Sequence, residues 1–400
     1  MTKKTRNHVD DLRGASKLAV EATRSVTDLV QAMHQTIGGG PKVLGQPLAA
    51  PTRIITNIVY GGIKGVTQLV GAGIDLALAQ LQPVLGESAP GSEREAVLAA
   101  LNGVLGDYLS ETANPLAIEM RLRRDGHPLS LEKPALAGAL PAASGKLAVL
   151  SHGSCMNDLQ WSRQGHDHGA ALARDLGYTP VYLHYNSGLH ISVNGRAFAA
   201  LLEALVAAWP VPVDELVLIG HSLGGLVSRS ACHYGELAGH AWRSRLSKLV
   251  CLGSPHHGAA LERAGNWVDL LLDVSRYSAP FGRLGRIRSA GVTDLRHGNV
   301  LDEHWHGRDR FAHGGDTRSR LPLPAGVACY AAAATSTPAP GKRLAGDGLV
   351  SVDCALGKHA DPALTLGFPD ENQVIGYGMA HLDLLSRPEI YTALHKWLSP

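Results

Sequence analysis

The stretch Leu216-Val-Leu-Ile-Gly-His-Ser-Leu-Gly-Gly225 restricts the fold of this chain more than any other. Its four leading aliphatic residues make a buried strand. Leu226 to Tyr234 then has helical spacing and no proline, so strand passes into helix across only a few residues. Ser222 stands at the apex of that turn. Gly220 and Gly224 flank it, where any Cβ would collide across the bend. Glycine is abundant, 46 of 400 residues, so Gly-x-Ser-x-Gly alone is a weak signal; the strand before it and the helix after it give it meaning. A serine lifted clear of a sheet can sit beside a base and backbone N–H groups, which a hydroxyl needs in order to act as a nucleophile.

From about Ala113 onward, short strands alternate with helices. Ile118 to Arg123 alternates apolar and polar residues ahead of an Asp125-Gly126 turn, and Pro128 to Leu131 follows. The stretches 146–150, 181–185, 216–219, 249–252, 327–331 and 373–375 continue the series, with helices over about Gly195 to Ala208 and Pro388 to Leu398. The pattern predicts an α/β fold with a mostly parallel central sheet and helices on both faces. Residues 258–325 interrupt it with an amphipathic piece, Trp267 to Val274, and polar loops. So long an interruption predicts a cap insertion over the site.

Residues 1–112 are expected to form an N-terminal helical region ahead of a domain spanning 113–400. Leu18, Ala22, Val26, Leu29, Met33 and Ile37 share one helical face up to the Gly38-Gly-Gly40-Pro41 break. Ile54 to Leu81 is a longer apolar stretch whose only charges are Lys64 and Asp75. Its glycines and polar residues favour a helical hairpin over a membrane span, and its surface is a candidate for membrane contact. Ser92 to Leu109 reads as a further amphipathic helix, opened by Ser92-Glu-Arg-Glu95 in the form of a capping box.

Composition narrows the function classes. With 45% hydrophobic and 18% charged residues the chain can bury a large core, and a net charge of +2 without a basic cluster sets nucleic acid aside as a partner. Five widely spaced cysteines (Cys155, Cys232, Cys251, Cys329, Cys354) include no Cys-x-x-Cys pair and read as small buried residues. The basic N-terminus runs into no apolar segment, so cytoplasmic residence is expected. Twenty histidines come without His-Glu-x-x-His or another ligand spacing, so neither a metal nor a cofactor is expected.

A serine nucleophile needs a base, an acid to orient that base, and donors for the oxyanion, all on loops after the carboxyl ends of the strands. Asp347, in Gly346-Asp-Gly348, follows a late strand in a turn suited to presenting a carboxylate. Asp353 is its competitor, at the start of a new element. His381, between the last strand and the terminal helix, is the candidate base. The Leu223 amide is one candidate oxyanion donor. The second lies in the loop His152-Gly-Ser154, assigned to the Ser154 amide with Cys155 or Gly153 as alternatives.

Together Gly220-His221-Ser-Leu-Gly-Gly225, Gly253-Ser-Pro-His-His-Gly258, Gly346-Asp-Gly-Leu-Val350 and His381-Leu-Asp383 resemble bacterial α/β-hydrolase lipases and esterases. The 253–258 run is also similar to that of lipases related to inositol deacylases of lipid anchors. The resemblance spans about Ala113 to Pro400 and implies an α/β-hydrolase fold in which Ser222, Asp347 and His381 act together on a small-molecule or lipid-like ester. Acyl transfer, thioester or amide cleavage on the same site, or a catalytically silent scaffold, are the alternatives. The metal-binding carboxylate sets of some secreted lipases are not evident, and oligomeric state is not readable.

Overall fold

A computed structural model describes residues 92–259, 289–310, 315–341 and 344–400. The helices expected before residue 92 and the piece Trp267 to Val274 lie outside the described residues.

Among the described residues, eight strands form one sheet. They are β1 (Arg121–Arg124), β2 (His127–Pro128), β3 (Lys146–Ser151), β4 (Thr179–His184), β5 (Glu215–His221), β6 (Leu246–Leu252), β7 (Ala328–Thr335) and β8 (Gln373–Tyr377), in the spatial order β2-β1-β4-β3-β5-β6-β7-β8. The β1–β2 hairpin joins β4 antiparallel, and β4 through β8 are mutually parallel. The second expected strand, Pro128 to Leu131, shortens to His127–Pro128 at the sheet edge, where a proline that cannot donate to a ladder is tolerated. Conversely, β7 runs on through Ala331 to Ala334. Alanine favours helix in isolation, but here its small side chain is buried between two neighbouring strands, and packing overrides propensity.

The period-2 geometry of a strand divides the core in two. Leu147, Val149, Leu216, Leu218, Leu249 and Ala331 face one way, against Ile191, Phe198 and Leu202 of α4 (Ile191–Ala208) and Leu226 and Val227 of α5 (Leu223–Leu237). Ala148, Leu150, Val217, Ile219, Val250 and Ala332 face the other way, against α1 (Ser92–Glu111), Leu172 of α3 (His168–Leu176), and Ile390 and Leu394 of α8 (Pro388–Leu398). Both faces are covered, so the central strands carry apolar residues on both faces through their middles. Each fully buried Leu, Ile or Val contributes about 1.5–3 kcal/mol. Helix ends follow local rules: Asp167 caps α3 by accepting from the Ala170 amide, Gly177 ends it in the left-handed region, and Pro388 opens α8. Shorter helices are α2 (Lys133–Ala139), α6 (Ala290–Asp294) and α7 (Val352–Ala355).

The helix expected over Ser92 to Leu109 is present as α1, but it is not amphipathic: residues 99–107 are buried without interruption. One side joins the sheet core through Leu101, Val104, Leu105 and Leu109. The other is covered by loops, with Asn186 Nδ2 donating to the Gly106 carbonyl at 2.8 Å, Ser289 Oγ donating to that of Gly103 at 2.6 Å, and Asp107 accepting from the Ala290 amide at 2.9 Å. Glu95, read as the far half of a capping box, pairs with Arg123 at 2.7 Å. Although α1 precedes the division expected at residue 112, it packs within the same core as the sheet.

Candidate active site

Five loops converge beyond the carboxyl ends of the parallel strands, where open α/β sheets bind ligands. The loop after β3 carries His152 to Cys155, the turn after β5 carries Ser222, and residues 253–259 follow β6. The long connection after β7 carries Asp347, and His381 lies four residues beyond β8.

Ser222 has φ 52° and ψ −121°, a left-handed conformation that costs a non-glycine residue on the order of 1–3 kcal/mol. The sheet and helix hold it there: its amide donates to the Leu252 carbonyl at 2.8 Å, and its carbonyl accepts from the Gly225 amide at 3.1 Å. A Cβ on Gly220 would come within 2.3 Å of the Gly225 nitrogen, and one on Gly224 within 2.2 Å of the Ser151 carbonyl oxygen. The bend therefore requires glycine at both positions.

His381 is buried at 3% exposure, and its Nδ1 lies 2.7 Å from Asp347 Oδ2. The carboxylate can only accept, so Nδ1 carries the proton and Nε2 is left with its lone pair free, buried and without a hydrogen-bond partner. The other carboxylate oxygen, Oδ1, accepts from the Leu349 and Val350 amides at 2.9 and 2.8 Å. Burial alone would raise the Asp347 pKa, but the adjoining imidazole and these two amides outweigh it and hold the carboxyl below its ordinary range. Its competitor Asp353 is exposed in the first turn of α7, whose cap is Ser351, and so has no part in this arrangement.

Ser222 and His381 line one narrow cleft, together with Gly153, Ser154, Met156, His221, Pro255, Ala259, Leu295 and Val350. No hydrogen bond joins Ser222 Oγ to His381 Nε2. The oxyanion candidates lie on the same cleft. The Leu223 amide belongs to the first turn of α5, where a helix leaves its donors unpaired. Of the three amides weighed in the 153–155 loop, that of Cys155 donates to Ser187 Oγ at 3.0 Å, which leaves Gly153 and Ser154 as the two that line the cleft. A Cβ on Gly153 would lie 3.2 Å from that of Ser222 and 3.0 Å from His221 Nδ1, a tight fit to which these neighbours would have to yield.

Two histidines that sequence reading treated as flanking residues brace the site. His152 donates from Nδ1 to the Gly153 carbonyl at 2.8 Å and stacks on Tyr185, whose hydroxyl donates to the His152 carbonyl at 2.8 Å. Its burial lowers its pKa to about 3, so it is a neutral clamp on the loop. His221 lies against His381 with ring centroids 4.8 Å apart, and its Nε2 is 3.3 Å from the His381 carbonyl. Burial, and then the neighbouring imidazole, push it well below the usual histidine range. The apolar lining comes from Met156, Leu295 and Val350, all remote in the chain from the serine. All five cysteines are buried thiols, with Cys155, Cys232 and Cys251 pushed up to about 12 by burial.

The strand order, the antiparallel hairpin at one edge, and the serine turn between β5 and α5 define the α/β-hydrolase fold. A family profile described as a PGAP1-like alpha/beta domain matches residues 200–319, a stretch that contains both the serine turn and the 253–258 loop. Solved structures similar to the chain include lipase BlEst2 of Bacillus licheniformis in its mature form, at 16% identity over 65% of this chain and 94% of that one, with a TM-score of 0.41. Lipase B of Aspergillus fumigatus is similar at 11% identity over 94% and 83%, with a TM-score of 0.42. EstA from Clostridium botulinum is similar at 12% identity over 64% and 88%, with a TM-score of 0.36. The comparison with curated proteins gave no match.

Proposed function

We propose that the protein is a serine hydrolase of carboxylic esters. The observation that carries this reading is a strained serine at a strand-to-helix apex, sharing a cleft with a histidine whose lone pair is kept free by a carboxylate 2.7 Å from its other nitrogen. Ser222 Oγ attacks the ester carbonyl and gives its proton to His381 Nε2. Asp347 fixes the tautomer that leaves Nε2 able to accept and stabilises the imidazolium that forms. The tetrahedral oxyanion is held by the amides of Leu223 and Ser154, each of which is expected to contribute about 10²–10³ in turnover. Collapse of the intermediate returns the proton to the leaving alcohol, leaving an acyl group on Ser222. A water activated by the same imidazole then releases the acid.

The apolar lining favours an acyl or aryl portion without charge. Acyl transfer and thioester or amide cleavage use the same groups and differ in leaving group and water access. A chain-length series of p-nitrophenyl esters tests the reading, with product analysis in the presence of a competing alcohol to separate hydrolysis from transfer. Turnover should fall about 10⁶-fold in Ser222→Ala, and a fluorophosphonate probe should label the parent protein alone. Full activity in that variant would refute the assignment; failure of the probe on folded parent protein would favour a silent scaffold.

A further inference from the structure

The loop 253–258 has a cavity on each side. Pro255 lines the cleft of Ser222, whereas His256 and His257 line a second cavity with Arg229, His304, Arg318 and Arg320. Arg229, on α5 about two turns beyond the serine, is 4% exposed. Its Nη2 donates to the Leu321 carbonyl at 2.7 Å and its Nη1 to His256 Nδ1 at 3.2 Å, while its Nε–H is buried without an acceptor. A guanidinium only donates, so His256 Nδ1 must accept. The proton of this neutral imidazole therefore sits on Nε2, which is likewise buried without an acceptor.

Charge points the same way as hydrogen bonding. Arg318 is neutralised by Asp316, with Nη2–Oδ2 at 2.6 Å and Nε–Oδ1 at 2.8 Å. Arg229 and Arg320 have no carboxylate within ion-pair distance among the described residues. Burial, with the Arg318 charge adding to it, pulls the Arg229 guanidinium down to about 10, so it remains a cation at neutral pH. Burying an unpaired cation beside unsatisfied donors is unfavourable unless an anion joins it.

We propose that this cavity binds a phosphate group, which accepts from Arg229 Nε–H and His256 Nε2–H and balances the charges of Arg229 and Arg320. Phosphate suits the site because its several oxygens can each accept from a different donor and its two negative charges match two unneutralised arginines. The group reaches the site either as free inorganic phosphate or as part of a phosphorylated molecule.

Isothermal titration calorimetry of the full chain with sodium phosphate, against sodium chloride at matched ionic strength, tests the site directly. One saturable site and a raised melting temperature are expected. Ser222→Ala should bind equally well, which separates this result from the fate of the ester-hydrolase reading. Arg229→Gln should weaken binding by at least about tenfold. Should that variant fail to fold, Arg320→Ala, at the exposed mouth, should fold and bind several-fold more weakly. Glycerol 3-phosphate titrated in parallel distinguishes the sources: tighter binding than inorganic phosphate indicates a phosphorylated molecule, and weaker binding indicates the free ion. No saturable heat with either titrant, or unchanged affinity in the folded arginine variants, overturns the proposal.

Discussion

The two cavities beside the 253–258 loop both rest on histidine, yet their neighbours make those histidines opposite tools. In the cleft, a carboxylate takes the proton-bearing nitrogen of His381 and leaves the lone pair of Nε2 without a partner. Across the loop, an arginine occupies the lone pair of His256 and leaves a buried N–H on Nε2 without an acceptor. An acidic partner makes the ring an acceptor and a basic partner makes it a donor. The role of a histidine is thus set by the group behind it, which local sequence does not display.

After Ser222→Ala, the largest expected effect breaks the cleft side of this contrast. Asp347→Asn keeps the shape of the side chain but no longer demands a proton on Nδ1, so ester turnover should drop about 10⁴-fold with the fold retained. Steady-state kinetics and circular dichroism on the same sample check it, and near-parent turnover would remove Asp347 from its role.

A second prediction concerns acid. His152, His168, His257 and His304 are all lowered by burial, to about 3 for the first and about 4 for the others, and His221 and His256 are also depressed. The unfolded chain, titrating near pH 6.5, binds more protons than the folded one below that pH, so stability falls as the pH falls. It should be fully present above about pH 6.5 and be lost progressively toward pH 4 and then 3. One fully buried imidazole of this kind is worth on the order of 4 kcal/mol, a large part of the stability of a typical domain. Urea denaturation at a series of pH values measures this, and a flat profile between pH 7.5 and 4.5 would contradict it.

The smallest effect sharpens the carboxylate assignment. Asp353→Asn, exposed on α7, should change stability by less than about 0.5 kcal/mol and leave turnover unchanged. The same assay and melt decide it.

Legibility followed locality. The serine turn was readable because its strand, glycines and helix lie within twenty residues, and the turn around Asp347 because Gly346 and Gly348 mark it with positive φ. By contrast α1 was misread as amphipathic, since the loops that cover its outer face come from residues 186–188 and 289–290. The choice among the amides of the 153–155 loop also depended on a partner far away in the chain, Ser187. The alanine end of β7 has no strand signal of its own.

Residue type and short-range spacing were sufficient to specify alternating strands and helices, a serine at a tight bend, and an aspartate and a histidine in late loops, because backbone sterics and hydrophobic periodicity act over a few residues. Three-dimensional packing alone decided which nitrogen of His381 and of His256 holds its proton, that Ser187 occupies the Cys155 amide, and how Arg229 meets His256. Those outcomes depend on burial and on partners contributed by strands that the fold places side by side, and electrostatics in a water-poor interior is governed by distance in space.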